Sequence, residues 1–306
     1  MNSIKFNLLL AVILLLSFFS SLNSQWINQN LMYPNEWFFG VSFINENTGT
    51  VVGSDGMILR TINGGVNWTL QNVGVTSYFF DVCFVDANTG WIVGQTGRIY
   101  HTTNGGVNWI SQNSGISNQL NSVFFVNANT GMVVGNILNY STLRTTNGGE
   151  NWISVPLGYN SLLNGCYLIN ADTGFAFGGA EIFRTTNGGI SWTIQATGVT
   201  FMNAAFTDAN TGIVVGGGGM IRRSTDGGVT WVNQTSGTTN LLWGISLIGD
   251  IGTATGWNGT ILHTTNGGQQ WSAQSNPATS HLYECSFVNA NSGWAAGNYV
   301  ILHTTN

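Results

Sequence analysis

The pattern [TS]-x-[ND]-G-G-x-x-W occurs six times in this chain, starting at Thr61, Thr102, Thr145, Thr185, Ser224 and Thr264. The tryptophans that close it, Trp68, Trp109, Trp152, Trp192, Trp231 and Trp271, follow one another at 41, 43, 40, 39 and 40 residues. A period of about 40 residues means one supersecondary unit built repeatedly, and such a unit buries its apolar faces only against its neighbours.

What the unit contains follows from the residues between the tryptophans. In the second repeat, Val82-Cys83-Phe84-Val85 leads through Asp86-Ala87-Asn88-Thr89-Gly90 to Trp91-Ile92-Val93-Gly94, then through Gln95-Thr96-Gly97 to Arg98-Ile99-Tyr100-His101. Short β-branched and aromatic runs broken by Asn, Thr and Gly are strands and hairpins. Beyond the first two dozen residues, no stretch shows glycine-free apolar 3.6 periodicity, so helices are not expected. Each unit reads as four short antiparallel strands, A to D. The Gly-Gly turn lies between C and D, and an Asn or Asp before it tolerates a left-handed backbone. Four-stranded sheets repeated around an axis make a β-propeller. Strand-A runs start near Val41, Val82, Val123, Cys166, Ala205, Ile245 and Cys285, giving seven blades. The seventh unit reaches His303-Thr304-Thr305-Asn306 without a Gly-Gly turn or strand D, while Trp26-Ile27-Asn28-Gln29-Asn30 matches strand D with nothing before it. The simplest expectation is an all-β, seven-bladed propeller over 25–306 in which the N-terminal strand closes the last blade, removing an open edge. The same ending also fits a piece of a longer chain.

Residues 1–24 stand apart: Lys5, an apolar run from Leu8 to Phe19, then Ser20, Ser21 and Ser24. This is the layout of a secretory signal peptide, too short for a membrane span, so a secreted or extracytoplasmic protein without stable membrane insertion is expected. With 6% charged residues and a net charge of −5, the chain lacks the clustered positive field that nucleic-acid binding needs. Three cysteines, Cys83, Cys166 and Cys285, make no disulfide framework and are expected as buried thiols in strand A. The histidines show no metal-ligand spacing, and the glycine runs lack the setting of a phosphate loop, so no metal or cofactor is expected.

Strand alternation puts the A–B and C–D turns on one face, and the B–C turns and D–A linkers on the other. The first face is nearly uniform. The second varies, with Trp37, Asp55, Tyr78, Gln95, Asn139, Tyr159, Glu181, Trp257, His281 and Tyr299, and variation on loops held by a uniform scaffold is where ligands bind. Trp37, Asp55, Tyr78, Arg98 and Trp257 are the candidate ligand residues there. The residue before each Thr or Ser of the motif is always cationic or imidazole: Arg60, His101, Arg144, Arg184, Arg223, His263 and His303. Such a ring either donates to turn carbonyls and stacks on tryptophan, or forms an anion-binding patch.

With I-x-R before it and N-x-x-T-G-W-x-V-G upstream, the motif resembles the photosystem II assembly/stability factor type of propeller, a branch of the bacterial neuraminidase (BNR, Asp-box) repeats, over Trp26 to Asn306. That resemblance implies a non-enzymatic seven-bladed ring that binds a partner protein or peptide, with Arg60, Arg144, Arg184 and Arg223 as the partner-binding patch. Three of the seven slots hold His, and the Asp of the box is Asn except at Asp226. A monomer is expected. The competing class is a glycan-binding propeller or a glycoside hydrolase or sialidase, which needs paired carboxylates, or a tyrosine nucleophile. Glu36, Asp55, Asp81, Glu181 and Glu284 are the acids on the variable face, with Asp55 and Glu181 as one conceivable pair.

Overall fold

The computed structural model describes residues 26–29, 33–137, 141–159 and 161–305. The segment read as a signal peptide, Asn139 and Asn306 lie outside the described residues. The chain forms seven four-stranded antiparallel sheets in sequence order. Blade 1 comprises Phe38–Phe43, Gly49–Gly53, Ile58–Thr61 and Thr69–Gln71, strands A to D. The other strands A are Phe79–Phe84, Leu120–Phe125, Leu163–Leu168, Phe201–Phe206, Leu242–Ile248 and Leu282–Phe287, and each packs against strand A of the next blade until the seventh meets the first. In blade 7, Ile27–Asn28 is the fourth strand, with Ile27 opposite His303 and Asn28 opposite Leu302. Trp26 stands fully buried and edge-on to Phe287 at 5.8 Å, as Trp68 stands to Phe43 at 6.0 Å and Trp109 to Phe84 at 5.9 Å. The N-terminal segment thus supplies the seventh copy of the repeated tryptophan.

The repeated turn residues have separate jobs. The two glycines take the left-handed backbone, φ 71° at Gly64 and 90° at Gly65. The Asn before them does not, which corrects the expectation: Asn63 Oδ1 instead accepts from Asn67 N at 2.9 Å, while Thr61 Oγ1 accepts from Gly65 N at 2.9 Å. Side chain and hydroxyl satisfy amides that the tight turn would leave unpaired. The Gly of the Asn-Thr-Gly turn serves a close approach: a Cβ at Gly49 would lie 2.4 Å from the Phe43 ring. That ring can therefore lie flat across the start of strand B.

Strand B is buried end to end in blades 1 to 5 and 7. Its side chains fill the wedge between neighbouring blades, where Trp91 stacks on Phe125, and Trp294 on Phe43, both at 3.5 Å. Cys166 and Cys285, at the fourth position of strand A, are buried as expected, whereas Cys83, at the fifth, points to the opposite face and is only partly buried. Burial pushes the Cys83 thiol up to about 12 and the other two upward, so all three are protonated at neutral pH. Among the described residues, no helix is long and apolar enough to cross a membrane.

Candidate functional site at the channel mouth

The strands A start three or four residues earlier than the sequence suggests, and those extra residues build the site. Each opens with a fully buried apolar side chain: Phe38, Phe79, Leu120, Leu163, Phe201, Leu242 or Leu282. A register shift follows in every blade, for example between Phe38 and Gly40 and between Leu282 and Glu284. A bulge re-aims the side chains it carries. The second residues are Phe39, Phe80, Asn121, Asn164, Met202, Trp243 and Tyr283, and all seven line one cavity of about 330 Å³ at the variable-face end of the channel. The third residues, one step deeper, are Gly40, Asp81, Ser122, Gly165, Asn203, Gly244 and Glu284. Each large residue among them is flanked by small ones, for a steric reason. A Cβ at Gly40 would lie 2.9 Å from Asp81 Cα, and one at Gly244 2.8 Å from Glu284 Cα, so glycine in one blade makes room for the carboxylate-bearing backbone of the next.

The mouth has two unlike halves. On blades 6, 7, 1 and 2, aromatic rings form an arc: Trp243 to Tyr283 at 5.5 Å, Tyr283 to Phe39 at 5.2 Å and Phe39 to Phe80 at 5.4 Å. It extends outward through Tyr78 and Trp37, 6.0 and 6.2 Å from Phe39, and through His281, which stacks on Trp257 at 5.1 Å. On blades 3 and 4 amides replace the rings, and on blade 5 Met202 does. Asn121 Nδ2 donates to Leu163 O at 2.7 Å and Asn164 Nδ2 to Phe201 O at 2.9 Å, each tying its blade to the next.

Two carboxylates sit at the waist below. Asp81 Oδ1 accepts from its neighbour Val82 N at 2.7 Å, and Oδ2 from Val123 N of blade 3 at 2.9 Å. Glu284 Oε1 accepts from Cys285 N at 3.0 Å, and Oε2 from Asn203 Nδ2 of blade 5 at 2.8 Å. Burial pushes Asp81 up to about 6 despite those bonds, and pushes Glu284 well above the ordinary carboxylate range, with the charge on Asp81 adding to it.

The candidates named from sequence distribute unevenly around this mouth. Trp37, Tyr78 and Trp257 join the aromatic arc, the two tryptophans about 40% exposed. Asp55 is exposed on the B–C turn of blade 1 at φ 51°, and Arg98 Nε donates to Ser77 Oγ at 2.9 Å on the rim of blade 2; neither lines the cavity. Glu181 accepts from Ser161 Oγ at 3.0 Å in blade 4, so the acids that the fold brings to one cavity are Asp81 and Glu284 rather than Asp55 and Glu181. Phe39, Phe80, Trp243 and Tyr283 escaped the sequence reading. Their signal was present: aligned on the repeat, they vary just ahead of each strand-A run while the residue before them is always Phe or Leu.

The arginine and histidine slot lies between blades. Arg184 Nε donates to Gly227 O at 2.9 Å and Arg223 Nε to Gly267 O at 2.6 Å, in both cases to the first glycine of the next blade's Gly-Gly turn. Arg60 is buried over the Phe84 ring at 4.7 Å and donates to Thr50 Oγ1 and Ala87 O, both at 2.8 Å. In blades 2 and 7 an indole takes over: Trp91 Nε1 donates to Gly148 O at 3.1 Å, and Trp294 Nε1 to Gly64 O at 3.2 Å. The slot then holds His101 or His303, stacked on that tryptophan at 4.6 and 4.5 Å. Burial lowers the pKa of His101, His263 and His303, so the three are neutral at neutral pH.

Known proteins share this architecture. A structure of YCF48 bound to D1 peptide superposes with a TM-score of 0.77 at 19% identity, covering 93% of this chain and 98% of that one. YCF48 from Cyanidioschyzon merolae gives 0.74 at 19% identity, with 92% and 99% covered. The GH74 xyloglucanase from Xanthomonas campestris gives 0.74 at 13% identity, covering 93% of this chain but 54% of the enzyme. No curated protein sequence matches the chain. The family model described as photosynthesis system II assembly factor YCF48 matches residues 66–201 and 194–277, well over half of the sequence, and the chain belongs to that family.

Proposed function

We propose that this chain is an exported, non-catalytic propeller that binds a polypeptide at the mouth of its central channel. The carrying observation is the mouth itself, where seven equivalent positions turn toward one cavity and present an aromatic arc facing Asn121, Asn164 and Met202, open on the face whose loops vary. The likeness to a YCF48 that holds a D1 peptide supports a polypeptide occupant. Export rests on the apolar run Leu8 to Phe19. In this reading Arg184 and Arg223, like Trp91 and Trp294, hold blades together, and Arg60 does so through Ala87. The test is retention of a polypeptide from the native envelope fraction by the wild type, by Trp243→Ala/Tyr283→Ala, and by a variant with Arg60, Arg144, Arg184 and Arg223 changed to Gln, after melting shows all three folded. Loss only in the mouth variant supports the proposal. Loss only in the arginine variant moves the site to the arginine patch on the Gly-Gly face.

A glycan-binding or hydrolytic propeller is the second reading, favoured by one observation: two carboxylates share a cavity with aromatic rings. Incubation with xyloglucan oligosaccharides decides it. Release of reducing ends that Glu284→Gln abolishes would establish hydrolysis, and retention of the glycan without cleavage would establish a lectin-like role.

A further inference from the structure

We infer that the mouth receives a lysine or arginine side chain of the bound polypeptide, its cationic head passing between the aromatic rings to the carboxylates of Asp81 and Glu284. The inference rests on the polypeptide reading and specifies which kind of residue enters. Three observations carry it. First, the chemistry is ordered by depth. Phe39, Phe80, Trp243 and Tyr283 form the wall, and Asp81 and Glu284 lie one residue further along their strands, so an incoming chain meets ring faces before charge. Aromatic faces attract ammonium and guanidinium groups and also pack the methylenes behind them. Second, among the described residues no Lys, Arg or His lines this cavity or the channel section below it, which holds about 300 Å³ and also touches both acids. The waist therefore holds two acids without a protein counter-charge, and a ligand cation would offset the burial that now disfavours their ionised forms.

Third, the hydrogen-bond inventory wants donors. Asn121, Asn164 and Asn203 each commit an N–H to a protein acceptor, while the carboxylate oxygens of Asp81 and Glu284 each accept a bond within the protein, Asp81 a further one from Ser122, and still keep lone pairs for incoming donors. An ammonium or guanidinium brings donors only. A carboxylate or phosphate would face repulsion, and a plain aliphatic side chain would leave the acids unpaired. A metal ion is a poorer occupant, because the described residues hold no group of three or more His, Cys, Asp or Glu able to ligate one.

Two blocked peptides, acetyl-Gly-Gly-Lys-Gly-Gly-amide and its norleucine counterpart, test this by titration calorimetry on the full chain. The lysine peptide is expected to bind at least about tenfold more tightly, with an affinity that falls as salt rises. Glu284→Gln should weaken lysine binding at least about fivefold and leave norleucine binding unchanged, and Asp81→Asn should act in the same direction. Equal affinity for the two peptides, absence of binding by both, or lysine binding that survives both substitutions overturns the inference. The two-peptide comparison uses the unmodified chain, so it decides the matter even if a variant fails to fold. None of these outcomes overturns polypeptide binding at the mouth, which is judged by the retention experiment.

Discussion

Arg223→Gln removes a guanidinium whose Nε donates to Gly267 O at 2.6 Å across the junction between blades 5 and 6. A hydrogen bond from a charged donor is worth about 1.5–3 kcal/mol net, and Gln is too short to replace it without leaving the glycine carbonyl unpaired. For a propeller of about 280 residues, with an unfolding entropy of about 2.1 cal/mol/K per residue, each kcal/mol moves Tm by about 2 °C, so the variant should melt about 3–6 °C below wild type in a calorimetric or circular-dichroism scan. The structure also supplies a rescue. In blades 2 and 7 the same carbonyl is met by Trp91 or Trp294, under a stacked His101 or His303. Ile213 is the strand-B partner of Arg223, as Trp91 is of His101. Transplanting the pair as Ile213→Trp/Arg223→His, with the indole occupying space vacated by the guanidinium, should recover at least half of the lost Tm. If Arg223→Gln melts with wild type, the bond contributes nothing to blade adhesion and the arginine is free to serve a partner. If the single variant falls and the transplant stays as low, the equivalence of guanidinium and indole is refuted.

Trp294→Ala should cost about 3–5 kcal/mol, because a fully buried ring stacked between Phe43 and His303 is lost at the junction that closes the ring, whereas Trp294→Phe should cost distinctly less in the same melt. Among the repeated tryptophans, Trp192→Ala should lower Tm more than Trp109→Ala, since Trp192 is 7% exposed and Trp109 only half-buried; equal losses would break the link between burial and cost. A chain lacking residues 1–29 leaves Val300–Thr304 without its outer partner and removes Trp26, so it should melt lower and aggregate, seen by light scattering during the scan. Stability should also fall as pH rises from about 4 to 6. Asp81, raised from 3.8 to about 6, holds a proton in the folded chain where the unfolded chain has released it, an effect on the order of 3 kcal/mol that Asp81→Asn should flatten. Glu284 acts with the same sign, while Asp226, held at about 2 first by the Thr230 hydroxyl, opposes it only below pH 4.

Much of the architecture is legible in the sequence because the turn chemistry repeats. Gly-Gly after Asn or Asp demands a tight turn, the spacing of the tryptophans counts the blades, and Trp26 without strands A to C before it announces a closing strand. Each of these is local, encoded within a few residues, and the structure agrees with them. The boundaries of strand A were less legible, since the polar and aromatic residues ahead of Val41 or Cys285 break the apolar alternation by which a strand is recognised. They break it because they face a channel, which exists only once seven blades close.

The same separation holds for the site. From sequence, Trp37, Tyr78 and Trp257 could be placed on the variable face by strand alternation alone. That Asp81 of blade 2 and Glu284 of blade 7 share one cavity could not, because some 200 residues separate them and only ring closure sets blade 7 beside blade 1. Likewise the arginine slot could be read as a ring, but not which atoms it meets: its acceptors are carbonyls of the following blade, 43 and 44 residues downstream for Arg184 and Arg223. Sequence determined the unit and its number, because turns and strand patterning are short-range. Tertiary structure decided what the units enclose, because a channel, its carboxylate waist and its aromatic mouth are properties of the contacts between blades.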